Sequence, residues 1–393
     1  MKILITTFTY PPNRDGVAEH STVLANGLAR RGHAVTVATE FHPDRKLDAL
    51  DANPRVEQFK ISGLANWRIG IRGETVAYQK FLHNYKGDLI LFSCWDVWST
   101  SLALPQANSL KTRKVLVSHG FANHIWNRHH QFPWGLGQWI GGWPLVLKLP
   151  FDMRKLDQLV TLSHRCDFDR FFDNWVARAT GYRKRSIIPN GAFAEEFIGD
   201  LPDFRAEFGI GSGSLLLNVA NYCDRKNQIM LLRAFRQAQL DGATLVLIGS
   251  EFNDYAIRLK QLDAELQRTY PAGHVLLLEK LTRVQTCAAF RSADLFVLSA
   301  KAETQPIALL ESMASHTPFL STDVGCVEEL PGGIVVHSEQ EMIEKMKLLV
   351  ANPTLRKQLA DEGWAASQKT YNWSRVIDAY ENLFRQLLVS QIP

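Results

Sequence analysis

The sequence predicts an α/β protein built as two doubly wound, parallel-sheet domains in tandem, and three observations carry that reading. Short apolar runs of strand type alternate with segments of helical period along the chain. The alternation breaks once, at Ile187-Ile188-Pro189-Asn190-Gly191-Ala192, where turn residues and a polar stretch mark a linker, and then resumes. At 393 residues the chain exceeds the usual range of a single domain and can furnish two full cores.

In the first series the strand-type runs are residues 3–8, 34–39, 88–93, 114–119 and 159–163. The first helix is bracketed by Gly16 and Gly32, with Val23, Leu24, Leu28 and Ala29 spaced to pack on a sheet. The second series places strands at 215–219, 245–249, 275–278, 295–298 and 318–322. Domains are therefore predicted at 1–190 and 191–370. The remaining 371–393 form a C-terminal helix with Val376, Ile377, Tyr380, Leu383, Phe384 and Leu387 on one face, expected to pack back on the first domain.

Apolar residues make up 46% and charged residues 21%, which describes a globular rather than a disordered chain. A net charge of +4 with no Lys/Arg block argues against a nucleic-acid partner. Cys94, Cys166, Cys223, Cys287 and Cys326 are odd in number and lack a CxxC pair, so neither a disulfide framework nor a zinc site is indicated. The first residues read as a strand rather than a leader, and no run reaches membrane-spanning length. The expected location is cytoplasmic.

Chemistry concentrates in the stretch Ser299-Ala300-Lys301-Ala302-Glu303-Thr304-Gln305-Pro306-Ile307-Ala308-Leu309-Leu310-Glu311. Glu303 follows an apolar strand and so falls in the loop at a sheet's carboxyl end, where open parallel sheets bind ligands. Pro306 suits the first helical position, which puts Glu311 about a turn and a half inside an apolar helix. A carboxylate there accepts hydrogen bonds either from vicinal hydroxyls, as a ribose offers, or from a neighbouring arginine.

The order and spacing of Pro11 to Gly16, Arg31-Gly32-His33-Ala34-Val35-Thr36-Val37, His119-Gly120, Pro189-Asn190-Gly191, Arg225-Lys226, Ala293-Asp294, Glu303 with Glu311, and Asp323-Val324-Gly325 resemble the GT-B-fold retaining glycosyltransferases of family 4 over nearly the whole length. The resemblance implies two Rossmann-like domains facing each other across a cleft that closes about Pro189-Asn190-Gly191. It also implies transfer from a UDP- or GDP-linked sugar to a glycan or lipid-linked acceptor, with no metal and no cofactor beyond the donor. Cell-surface polysaccharide or glycolipid synthesis is the expected setting.

By the same resemblance Glu311 binds the ribose and Glu303 lies near the sugar, with Leu281, Thr304, Gln305 and Ile307 around the donor. Lys226, read as opening a helix, holds the diphosphate. Gly16 either brings a backbone amide to the phosphates or is an ordinary glycine before a helix. His119, at a strand's carboxyl edge, faces the donor sugar or is a satisfied polar group. Two departures stand out: the family's Gly-Arg is Ala220-Asn221 here, leaving Arg225 as the candidate second cation, and its Gly-Phe-Gly is Thr304-Gln305-Pro306.

Acceptor contacts are expected from Trp95 and Asp96 and from the stretch holding Trp126, Trp134, Trp139 and Trp143 with nearby His and Lys. That stretch either packs on the core, stacks on sugars, or meets a membrane surface, the last implying peripheral contact at the inner membrane face. Asp167-Phe168-Asp169 reads as a helix face rather than a metal-binding DxD, and Gly135-Leu136-Gly137 with Gly141 as loop rather than a dinucleotide fingerprint. Rival readings are a sugar-nucleotide epimerase or glycoside phosphorylase of the same fold, and a catalytically silent partner subunit.

Overall fold

The computed structural model describes residues 1–13, 15–45, 52–63, 65, 69–121 and 134–389, the side chains of residues 134–142 excepted. The chain divides into two units, one comprising Met1–Pro189 with the chain from Val376 onward, the other Asn190–Arg375.

The first unit is threaded by β1 (Lys2–Thr6), β2 (Ala34–Glu40), β3 (Arg55–Phe59), β4 (Ile61–Gly63), β5 (Ile71–Gly73), β6 (Leu89–Ser93), β7 (Arg113–Ser118), β8 (Gln158–Thr161) and β9 (Arg185–Ile187). Seven of these form one sheet in the order β3-β2-β1-β6-β7-β8-β9, every pair parallel. Ile3, Leu4 and Ile5 at its centre are fully buried, the two-faced burial that makes parallel strands read as continuous apolar runs. Strands β3 and β9 left no such signal. Phe59 is the one buried residue of β3, and β9 has none, so these edges are held by the backbone ladder more than by side chains. The antiparallel hairpin β4–β5 stands outside the sheet.

The first helix, Gly16–Arg30, buries Val23, Leu24 and Leu28 against the sheet. Its amides at Val17 and Ala18 are capped by the Asp15 carboxylate at 2.9 and 3.0 Å. Residues 135–137 belong to a helix, Trp134–Met153, and not to a loop, because the run that follows them is apolar enough to pack. Asp167 and Asp169 are not on a helix either. The helix starts at Phe172, and the chain before it forms a turn in which the Phe171 amide donates to the Asp167 carbonyl.

The second unit carries β10 (Leu215–Val219), β11 (Thr244–Gly249), β12 (His274–Glu279), β13 (Leu295–Leu298), β14 (Phe319–Thr322) and β15 (Gly333–Val336) in the order β12-β11-β10-β13-β14-β15, all parallel. Fully buried Leu215, Leu216, Leu217, Phe296 and Phe319 knit its two core layers. Burial of each such side chain stabilises by roughly 1.5–3 kcal/mol. Strand β15, the edge opposite β12, begins at a glycine and escaped the periodicity. The last helix, Trp373–Val389, starts in the second unit, where the Ala192 amide donates to the Tyr371 carbonyl, and continues into the first. There Val376, Ile377, Tyr380, Leu383 and Phe384 are buried and Leu387 is half-buried.

Candidate functional site

In the second sheet the strand order reverses between β10 and β13, so their carboxyl ends flank a crevice of the kind that receives ligands in open α/β sheets. Lys226 follows β10 and Glu303 follows β13. The Lys226 Nζ lies 2.5 Å from Glu303 Oε1, and the Arg225 guanidinium donates to the same oxygen at 3.1 Å and to the Ala302 carbonyl at 3.2 Å. Two cations on one carboxylate leave the cluster net positive, with the Arg225 side chain 56% exposed. Arg225 thus supplies a second cation beside Lys226, although the Gly-Arg pair is absent.

Backbone contacts fix this geometry. The Ser299 hydroxyl donates to the carbonyls of Lys226 and Asn227, and the Lys301 amide to that of Arg225. Across the loop the Cys326 amide donates to the Thr304 carbonyl, beside Gly325 at φ +51, where a Cβ would fall 2.1 Å from the Thr304 oxygen. Lys226 does not open the helix. The left-handed Asn227 intervenes, and the helix begins at Gln228. The ammonium is therefore presented by a turn pinned to β13.

Pro306 is the cap rather than the first residue of the helix Ile307–Ala314, which places Glu311 just over one turn inside. Its Oε1 lies 2.5 Å from Arg283 Nη1, and Arg283 Nη2 lies 2.5 Å from Glu196. The arginine alternative for Glu311 is thus realised in this structure. A Glu–Arg–Glu triad pins the carboxylate at the mouth of the same edge, with its side chain 12% exposed. Leu281, in the turn after β12, packs on the second core, and Ile307 and Thr304 are half-buried. The Gln305 side chain is committed within the fold. It is buried, its Oε1 accepts from the Asn190 amide at 2.6 Å, and its carbonyl accepts from Asn190 Nδ2, so it ties the linker residue to the Glu303 loop.

The first sheet reverses between β1 and β6. Gly16 is the first residue of its helix and lies beside Asp15, whose carboxylate already occupies the Val17 and Ala18 amides. A phosphate at that helix start would meet this carboxylate, which favours the plain reading of Gly16. His119, just past β7, packs edge-on against His20 with ring centroids 4.6 Å apart. Burial holds the His119 imidazole down at about 4, Asp15 working weakly the other way. His20 is also held well below its ordinary value, by burial and then by His119. Both rings are neutral at neutral pH.

Trp95 is packed into the first unit. It is 3% exposed, and its indole N–H donates to Asp173 at 3.0 Å, a carboxyl whose pKa burial raises against the opposing bonds from Ser118, Trp95 and the Asn174 amide. Asp96 is half-buried in the turn after β6. Trp126 and the side chains of Trp134 and Trp139 lie outside the described residues. Trp143 is half-buried and packs on the first core, as the packing alternative requires. The outer face of that helix is different: Leu147 and Phe151 are 67% and 64% exposed, and Pro144, Lys148 and Arg154 are exposed beside them.

Sequence reading missed Arg283, Glu196 and His20, and read Tyr380 as a packing residue of the C-terminal helix. For Arg283 a signal existed in Thr282-Arg283-Val284-Gln285, a capping box that places residue 283 at the start of a helix after β12. Its pairing with Glu311 spans 28 positions and has no local signature. Among the described residues no group of three or more His, Cys, Asp or Glu could hold a metal ion, and no helix is long and apolar enough to cross a membrane.

Residues 14–192 match the sequence profile described as Glycosyltransferase Family 4, and residues 213–352 that described as Glycosyl transferases group 1. The chain is 27% identical over 216 residues to a D-inositol 3-phosphate glycosyltransferase of Nocardiopsis dassonvillei, which is 51% of this chain and 50% of that relative, so it spans half that protein's length. It is 22% identical over 374 residues to an alpha-monoglucosyldiacylglycerol synthase of Streptococcus pneumoniae, covering 92% of this chain and 81% of that one. Sucrose-phosphate synthase from Thermosynechococcus elongatus superposes with a TM-score of 0.80 at 16% identity, over 99% of this chain and 100% of that one. Anabaena HepE, solved in complex with UDP and glucose, does so at 0.74 and 15%, over 98% and 100%. At such identities the solved structures establish the fold, two parallel-sheet α/β domains of GT-B type. Matched in order by both profiles, the chain belongs to the GT-B-fold glycosyltransferases of family 4.

Proposed function

We propose that the chain transfers a sugar from a nucleoside diphosphate sugar, UDP-linked, to a glycan or lipid-linked acceptor with retention of configuration, in cell-surface polysaccharide or glycolipid synthesis. The observation that carries the reading is the pair of cations, Lys226 and Arg225, at the strand reversal of the second sheet, held there by Glu303. UDP as the nucleotide is supported by HepE, which was solved with UDP.

In the reaction the bond between the anomeric carbon and the β-phosphate oxygen breaks while the acceptor oxygen bonds to that carbon. Charge gathers on the departing diphosphate, and preorganised cations stabilise it there. The acceptor's proton passes to the leaving phosphate oxygen, so no side chain serves as general base. Glu303 keeps the ammonium and guanidinium from drifting apart before the donor arrives. Glu311 accepts from the ribose hydroxyls while Arg283 holds its other side, and the neutral His119 lines the sugar side. No cofactor beyond the donor is needed.

The acceptor is assigned to a membrane surface. Pro144, Leu147, Lys148, Phe151 and Arg154 fall on one arc of about 120° in and just past the helix Trp134–Met153, an apolar stripe flanked by cations as on interfacial helices. The protein would then be cytoplasmic and peripheral. The test is a thermal-shift screen of UDP-, GDP- and dTDP-sugars followed by assay of nucleoside diphosphate release with lipid and glycan acceptors. Stabilisation by a UDP-sugar and acceptor-dependent UDP release are expected. Donor binding without release across the acceptors would mark a silent subunit, and a converted sugar nucleotide without UDP release an epimerase.

A further inference from the structure

Behind His119 the first unit holds two buried polar groups that the transfer chemistry leaves unused. His20, on the inward face of the helix Gly16–Arg30, is 0% exposed among the apolar residues Ala18, Val23, Leu24 and Leu28. Its Nε2 lies 3.3 Å from the hydroxyl of Tyr380, itself 0% exposed, with ring centroids 5.8 Å apart. On its other side His20 meets His119 at 77° between ring planes. Three rings from three distant segments thus form one file that ends at the sheet edge.

A fully buried imidazole on a core face is costly unless its polar atoms are satisfied, and a leucine or phenylalanine would fill the space. The surrounding packing holds the file in register. Gly27 lets the C-terminal helix approach so closely that a Cβ there would come 2.3 Å from Ile377 Cδ1. Beyond it Arg31 pairs with Asp378 at 2.6 Å and with Glu381 at 3.2 Å, and His33 pairs with Glu381 at 3.1 Å. Those contacts fix the rotation and height of the helix that carries Tyr380. Burial drives the phenol's pKa far up, so its hydroxyl stays protonated at any working pH.

We infer that Tyr380 and His20 are positioning residues for His119. The Tyr380–His20 bond selects one tautomer and one orientation of the neutral His20 ring, and the edge of that ring fixes the rotation of the imidazole presented to the donor sugar. The inference rests on the proposed function only in placing His119 beside the donor.

Tyr380→Phe deletes the hydroxyl and keeps the ring. With UDP-glucose as donor, kcat for UDP release is expected to fall about tenfold, about 1.4 kcal/mol, while the Kd for UDP changes less than twofold. His20→Leu should act similarly, and the double variant should be no worse than either single one, because both break the same file. Independently of turnover, ¹⁵N spectra of the histidine rings should show a single His20 tautomer in the parent, and tautomer exchange with a shifted His119 signal in Tyr380→Phe. An unchanged His119 signal in a folded Tyr380→Phe variant, or additive losses in the double variant, would overturn the inference. If UDP-glucose turns over in no form of the protein, the proposed function fails while the ring spectra still decide the positioning.

Discussion

At the carboxyl edge of the second sheet the polar side chains are charged, partly exposed and paired across strands: Lys226 and Arg225 on Glu303, Arg283 between Glu311 and Glu196. At the same edge of the first sheet the cap carboxylate of Asp15 stands beside neutral rings and a buried carboxyl: His119 against His20 and Tyr380, Asp173 under Trp95. Both sheets reverse strand order at these edges, but among the described residues only the second edge carries cations paired across strands. A diphosphate asks for fixed cations that water still reaches, so that the ligand can replace a carboxylate partner. A sugar ring carries no charge, and an edge that confines it is better made of close-packed groups whose orientation is set from behind. The first kind of edge depends on which residues follow a strand, the second on what packs beneath it.

The largest effect that would break this comparison is at Lys226. If the second edge acts by charge on the leaving group, Lys226→Ala should lower kcat for UDP release by a factor of a hundred to a thousand, roughly 3–4 kcal/mol, comparable with removal of one oxyanion donor. A loss confined to KM would mean that the ammonium only binds the donor.

The next effect belongs to the first edge. The folded chain holds His119 at about 4 against an ordinary 6.5, so between those values the unfolded chain carries a proton that the folded one refuses. Stability conferred by the neutral ring is therefore full above 6.5 and lost as pH falls toward 4, by about 3 kcal/mol for this ring alone. His20 adds in the same direction. Urea unfolding at stepped pH should show the slope, and it should shrink in His119→Gln. A flat profile would mean that water reaches the rings.

Glu311→Gln comes third. It should weaken UDP binding by roughly 1.5–3 kcal/mol, through loss of the charge-assisted bonds to ribose. Arg283→Lys, measured alongside by calorimetry, separates the carboxylate's own bonds from the support of the triad: equal losses would make the ion pair, not the ribose contact, the source of the effect.

The smallest is at the outer face of the helix Trp134–Met153, where Leu147→Glu with Phe151→Glu should reduce sedimentation with anionic phosphatidylglycerol vesicles by roughly 2 kcal/mol and leave UDP binding untouched. Vesicle binding equal to the parent's would free that face from the membrane.

The sequence by itself determined the parallel strands of both sheets apart from β3, β9 and β15, and the apolar face of the C-terminal helix, because each of these follows from local period; the grouping of Glu303, Lys226, Arg225 and Glu311 is what the resemblance to family 4 implies. The edge strands β3, β9 and β15 were silent since they are held by ladders to neighbours. The partners of Gln305 and Trp95, Asn190 and Asp173, could not be read from their positions, because burial decides what these side chains touch. Tyr380 meets His20 across 360 positions of chain, and Arg283 meets Glu311 across 28. Only tertiary packing brings such groups within hydrogen-bond range, and no periodicity along the chain encodes which side chain will lie behind another.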